Sequence, residues 1–290
     1  MSNTVEFDNV RKDYGDFTLS GVSFTLPGGC ILGLVGENGA GKTTLLKLLL
    51  DTVKRDGGKV SVFGKDAAGL DPAVREEIGV VPDEIGLPGH MTAVQIGKMM
   101  KKMYRQWDGE AYGRLLKRLD VPEGKKYTGL SHGTKRKLAL AAAMAHAPKL
   151  LVLDEATNGL DPVVREEVMT LLREFVCDEE HAVLFSSHIL EDLDKVCDYA
   201  VFLHKGRLLA YDEKDALCDR YGVWRGSREA FEALGKDGVV RAVLSPFGAE
   251  AVVERSGYTG CEELGKVDPE TLFVALVRQA DGMTVEERKA

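Results

Sequence analysis

The chain has 290 residues with 46 acidic and 38 basic side chains, a formal net charge of −8, and is 44% hydrophobic and 29% charged. That length admits one large domain or one domain with a smaller companion, each able to bury a sizeable core. The acidic balance offers no general attraction for phosphate backbones, so no nucleic acid is expected as a partner, and no apolar run approaches the roughly 18–20 residues that span a bilayer.

The N-terminus has neither the basic start nor the apolar stretch of a secretory signal, which predicts a cytoplasmic protein. Cys30, Cys177, Cys197, Cys218 and Cys261 are odd in number, widely spaced and form no CxxC pair, so they are expected as reduced, mostly buried thiols. Along the chain, β-type runs at residues 4–7, 17–26 and 59–63 come first, and glycines frame the later two as hairpins. Denser apolar runs at 30–35, 78–81, 150–153 and 182–185 predict buried parallel strands. Between about 87 and 130 the pattern is helical only, which predicts an inserted helical subdomain. Asp161-Pro162 caps the strongest helix, with Val164, Val168, Leu171, Leu172 and Phe175 on one face. Short strands and helices after about 220 end in a helix near 269–279. The expected division is 1–215 for an α/β domain and 216–290 for a small α+β extension.

Gly36-Glu37-Asn38-Gly39-Ala40-Gly41-Lys42-Thr43 satisfies GxxxxGK[ST], after the apolar run 31–35 and before a helix-like stretch at 44–50. The glycines let successive N–H groups turn toward one phosphate, and the helix N-terminus adds roughly half a positive charge. Lys42 would reach the β- and γ-phosphates, Thr43 would bind Mg²⁺, and Thr44 would extend the cradle. The second half is Leu150-Leu151-Val152-Leu153-Asp154-Glu155, an apolar strand ending in two carboxylates. Asp154 would hold Mg²⁺ through water while Glu155 orients and deprotonates the attacking water.

With these motifs the chain resembles the nucleotide-binding subunit of ATP-binding cassette (ABC) transporters over residues 5–211. Leu130-Ser131-His132-Gly133-Thr134 is similar to the LSGGQ-type signature, opening a helix at 135–145; Gly159-Leu160-Asp161 is similar to the D-loop, and His188 after Ser186-Ser187 to the switch histidine. The resemblance implies a P-loop NTPase cassette with an antiparallel β subdomain and a helical insertion. It also implies that ATP and Mg²⁺ are held in a head-to-tail dimer with a second cassette, where Ser131, Gly133 and Asp161 reach the nucleotide from across the interface and His188 hydrogen-bonds the γ-phosphate. Tyr14 stands where the family stacks an aromatic ring on adenine; a packing role is the alternative. Where the family has a Q-loop glutamine, Asp83 stands here, able to approach Mg²⁺ through water but unable to donate an amide hydrogen bond. His132 replaces a glycine, Thr134 a glutamine, and Ala156 a proline.

These departures resemble the exporter-like branch, whose ATPases work with separately encoded integral membrane permeases. The resemblance therefore implies a peripheral position at the inner face of the membrane. Met91, Met99, Met100, Met103, Tyr104 and Trp107 lie in the helical insertion, where the family receives a permease helix. The competing expectation is a helix packed inward through Val94, Met99 and Met103, with Lys98, Lys101, Lys102 and Arg105 as a solvated face. Two other functions stay open at this stage: a soluble ABC ATPase acting on a non-transport partner, and an ATP-binding regulator with slow turnover.

Overall fold

The computed structural model describes residues 3–234, 237–258 and 263–287; Cys261 lies outside them. The chain begins with β1 (Asn3–Asp13), β2 (Thr18–Pro27), β3 (Ile31–Gly36), α1 (Lys42–Leu49), β4 (Gly57–Val62), β5 (Lys65–Asp66), α2 (Pro72–Arg75) and β6 (Ile78–Val81). The helices α3 (Ala93–Met103), α4 (Gly109–Arg118) and α5 (His132–Met144) follow. Next come β7 (Leu150–Asp154), α6 (Pro162–Phe175), β8 (Ala182–Ser187), α7 (Leu190–Val196), β9 (Tyr199–His204), β10 (Arg207–Glu213) and α8 (Lys214–Asp219). The C-terminal part contains β11 (Tyr221–Gly226), α9 (Arg228–Ala233), β12 (Val239–Ser245), β13 (Gly248–Glu254), α10 (Pro269–Ala280) and β14 (Val285–Glu287).

Every residue of β3, β7 and β8 is buried, which accounts for their unbroken apolar sequences: strands covered on both faces have no solvent side to make polar. They sit in a six-stranded sheet of order β10-β9-β3-β8-β7-β6, parallel except for the antiparallel β9–β10 edge. The sequence pattern did not single out β9 or β10. A four-stranded antiparallel sheet, β2-β1-β4-β5, packs over α1 and the central sheet through Phe7, Phe24, Leu45 and Leu184. The Tyr211 hydroxyl reaches across to Thr25 O at 2.8 Å and ties the two sheets together. The opposite face of the central sheet shares a core with the helical insertion.

Helix α5 begins at His132 rather than at 135, because the Ser131 side chain accepts from Thr134 N and caps it. Helix α1 likewise starts at Lys42, directly on Gly41. The inward face of α3 is Ala93, Ile96 and Gly97, with Met91, Met100 and Trp107 packed against the core. Val94 and Met103 are exposed and Met99 is half-buried, so the expected inward stripe through those three residues does not form. Gly97 is what decides the face: a Cβ there would lie 2.5 Å from the Tyr112 ring, so only glycine lets α3 approach α4 on this side. Lys98, Lys101, Lys102 and Arg105 are exposed, as expected of a solvated face. Of the four described cysteines, Cys197 alone is buried, Cys30 and Cys218 are half-buried and Cys177 is exposed, so the thiols are not mostly buried. Burial pushes the Cys218 thiol up to about 11 and raises Cys197 further, which leaves both as unreactive thiols at neutral pH.

The C-terminal part has its own sheet, β11-β13-β12-β14, and a small cluster around Trp224 and Phe231. Its other face joins the main core: Val240, Val252, Leu272, Phe273 and Leu276 pack with residues of the cassette, and the expected division at 215/216 falls inside α8. Helix α10 is capped by Asp268, which accepts from Thr271 N, and lays Phe273 edge-on against Phe202 of β9 at 5.3 Å between centroids. At its C-terminal end Asp281 meets His204 Nε2 at 3.0 Å, while His204 Nδ1 lies 3.2 Å from the carboxylate of Glu37. Phe273→Ala should destabilise the whole chain by about 3–5 kcal/mol, read as a single shifted urea transition; loss of the C-terminal part alone would show as a separate early transition.

Candidate active site

The site lies at the C-terminal ends of β3, β8 and β7, where an open α/β sheet presents its ligand crevice. Register fixes the neighbours: Val35 pairs with Ser187 and Asp154 with Ser186. The loop after β3 turns tightly because Gly41 adopts φ +112° and Gly36 is wedged where a Cβ would meet Leu203 O at 2.7 Å. Helix α1 starts without a side-chain cap, so its first-turn N–H groups face outward with the positive end of the helix dipole.

Lys42 is buried, and its Nζ donates to Gly36 O at 2.7 Å and lies 3.3 Å from Glu155 Oε1. Glu155 Oε2 is 2.6 Å from His188 Nδ1. The general-base candidate is thus held between an ammonium and an imidazole. Its backbone is unusual: φ is +51°, a region that bulky L-residues seldom adopt. Glu155 N donates to Ser186 Oγ at 3.1 Å, and its carbonyl accepts from Asn158 N and from the Arg136 guanidinium, so partners on both sides of the residue hold the turn.

Asp154 is buried and accepts from the Thr43 hydroxyl at 2.9 Å and the Ser186 hydroxyl at 2.6 Å. No cation pairs with it among the described residues, and a buried carboxylate satisfied only by neutral hydroxyls suits an arriving metal ion. The oxygen donors of Thr43 and Asp154 fit Mg²⁺, a hard cation that retains waters and takes the rest of its shell from phosphate.

A cavity of about 590 Å³ is lined by Phe17, Glu37, Asn38, Gly39, Ala40, Gly41, Lys42, Thr43, Thr44, Asp83, Glu155, Asn158 and His188. Phe17 and Asn158 were not singled out from the sequence. Phe17 betrays itself only through tertiary contact, its ring lying 3.0 Å from where a Gly41 Cβ would stand. Tyr14 does not line the cavity; it is half-exposed on the same β1–β2 turn with Lys12 Nζ 5.3 Å from its ring centroid. Ser131, Gly133 and Asp161 are also outside it, and Ser131 and Asp161 cap α5 and α6. Asp83 sits at the rim, 53% exposed, with Oδ1 accepting from Arg136 at 2.7 Å.

A family model described as ABC transporter matches residues 19–158, and an AAA-domain model overlaps it at 125–193. The chain is 33% identical over 221 residues to the ABC transporter ATP-binding protein YtrB of Bacillus subtilis, covering 76% of this chain and 73% of that protein. It is 34% identical over 222 residues to the Nod factor export ATP-binding protein I of Burkholderia lata, covering 74% of this chain and 72% of that one. Among solved structures, an ATP-binding subunit of an ABC transporter superposes with a TM-score of 0.68 at 25% identity, over 74% of this chain and 92% of the other. Ser186→Ala removes the hydroxyl that orients Asp154 and should weaken nucleotide-dependent Mn²⁺ binding roughly 10–100-fold, measured by electron paramagnetic resonance.

Proposed function

The chain belongs to the ATP-binding proteins of ABC transporters, and on that premise we propose that it drives export through a separately encoded membrane permease. It is a P-loop ATPase whose hydrolysis of ATP is coupled to transport. The observation that carries the chemical reading is the convergence of Lys42, Glu155 and His188 within one cavity, beside the Thr43–Asp154 pair.

Lys42 and the loop N–H groups would bind the β- and γ-phosphates, and Thr43 and Asp154 would hold Mg²⁺. Bound there, Mg²⁺ would supply charge neutralisation to the phosphates. Glu155 then orients and deprotonates the attacking water, a role worth about 10²–10⁴-fold in rate. The His188 ring, donating Nδ1–H to Glu155, offers a phosphate oxygen a donor at Nε2 only as the imidazolium. The β1–β2 turn carries both Tyr14 and Phe17 and is the platform for the adenine. Ser131 and Gly133, outside their own chain's cavity, are assigned to the nucleotide of a second cassette in a head-to-tail dimer, with Asp161 at the same interface.

Export is supported by the similarity to the Nod factor export ATP-binding protein of Burkholderia lata. No helix among the described residues is long and apolar enough to cross a membrane. A cleft of about 240 Å³ lined by Val80, Pro82, Ile85, Leu87, Met100 and Tyr104 is assigned to a helix of that permease. The side chains lining it are nearly all apolar, and Pro82 in its wall directly precedes Asp83, so docking and catalysis are neighbours. This would keep the protein at the inner face of the membrane.

Glu155→Gln should lower ATP turnover by about 100-fold or more while ATP still binds, and light scattering should show an ATP-dependent dimer. Wild-type turnover in that variant would remove Glu155 as the base. Leu87→Asp should abolish co-purification with the permease while leaving the ATPase of the free subunit intact; retained co-purification would move the docking site elsewhere.

A further inference from the structure

Arg136 lies on the first turns of α5, is 2% exposed, and extends its guanidinium between two segments of the site. One terminal nitrogen donates to the carbonyl of Glu155 and the other to Asp83 Oδ1 at 2.7 Å. Asp83 is the only acidic side chain within ion-pair distance of this guanidinium among the described residues, and Arg136 Nε has no hydrogen-bond partner. A buried guanidinium with a single carboxylate partner is costly to separate from it, and its planar fork keeps the two terminal nitrogens in fixed geometry.

We propose that Arg136 is a positioning residue for ATP hydrolysis, which sets the peptide of Glu155 according to where Asp83 stands. The proposal rests on the reading of Glu155 as the general base. Glu155 occupies the left-handed region at φ +51°, so its carboxylate direction depends on what holds its two flanking peptides. Ser186 fixes the N–H side; Arg136 and Asn158 fix the carbonyl side. Of these holds, Arg136 alone is bound at its other end to a segment that lines the apolar cleft, since Asp83 follows Pro82 and precedes Ile85. A displacement of residues 82–87 therefore pulls on the guanidinium and through it on the base. The acidic residue at position 83 acquires a role from this link: it is the counter-charge that keeps Arg136 in place, and its second oxygen has no hydrogen-bond partner among the described residues.

The test is steady-state ATPase kinetics of the full chain with Mg²⁺ for wild type, Arg136→Lys, Arg136→Gln, Asp83→Gln, the Asp83→Gln/Arg136→Gln double variant and Glu155→Gln, with thermal unfolding of each. Arg136→Lys and Arg136→Gln should lower kcat about 10–100-fold with KM for ATP nearly unchanged, as expected for a base displaced by a fraction of an ångström. The double variant should recover kcat above either single glutamine variant, because two amides can hydrogen-bond across the gap without an unpaired buried charge. Unchanged kcat in folded Arg136→Lys, or a double variant whose loss is the product of the two single losses, overturns the proposal. A loss confined to KM or to the unfolding temperature does so too. If Arg136→Gln does not fold, Arg136→Lys decides alone. Wild-type turnover in Glu155→Gln would instead overturn the underlying assignment of the base.

Discussion

Parallel pairing of β3 and β7 with β8 is the constraint on which the site depends. With Val35 opposite Ser187 and Asp154 opposite Ser186, the strand ends finish level, and whatever follows each strand must share one crevice. The loop ending at Thr43 lies more than a hundred residues of chain before Asp154 and Glu155, and His188 follows Glu155 by 33, yet strand register makes them neighbours. A shift of one residue would turn Asp154 away from Thr43 and reverse every buried side chain of the strand. The near-complete burial of these strands makes such a slip prohibitive, since apolar side chains fill both faces.

Around that register the site is held by charges that balance only collectively. Lys42 and His188 converge on Glu155, while Asp154 is satisfied by hydroxyls and has no cation partner among the described residues. The first arrangement suits a group that must keep its direction, and the second suits one that must accept a metal. Burial sharpens both, because electrostatic interactions weaken in water and polar groups are costly to strand without it. The C-terminal part enters the same framework through His204, which lies between the carboxylates of Glu37 in the phosphate loop and Asp281 at the end of α10.

Local chemistry was legible in residue order wherever a motif is contiguous. Gly36 to Thr43 announced a phosphate loop because its glycines, lysine and threonine act within one turn, and Asp154-Glu155 announced carboxylates at a strand end. Capping was equally legible at Asp161-Pro162, where side chain and backbone are three residues apart. Legibility failed where partners are distant. Of the two readings of α3, the inward stripe through Val94, Met99 and Met103 does not form, because spacing cannot report that Gly97, rather than a larger residue, admits the Tyr112 ring. Phe17 and Asn158 carry no local sign of lining the cavity, and nothing local marks β9 and β10, which are defined by β9 pairing with β3 and β10 with β9.

The sequence by itself determined the α/β class, the phosphate loop, the identity of the acidic pair and the order of the motifs that mark an ABC cassette. Each rests on residues close enough in the chain for periodicity and spacing to constrain them. Only the tertiary structure decided that Asp83 stands against Arg136, that this guanidinium grips the peptide of Glu155, and that α10 shares the core of the cassette. Those contacts join residues 53, 19 and 71 positions apart, as in Arg136–Asp83, Arg136–Glu155 and Phe202–Phe273. Their existence depends on strand register and helix packing, which no short window of sequence contains.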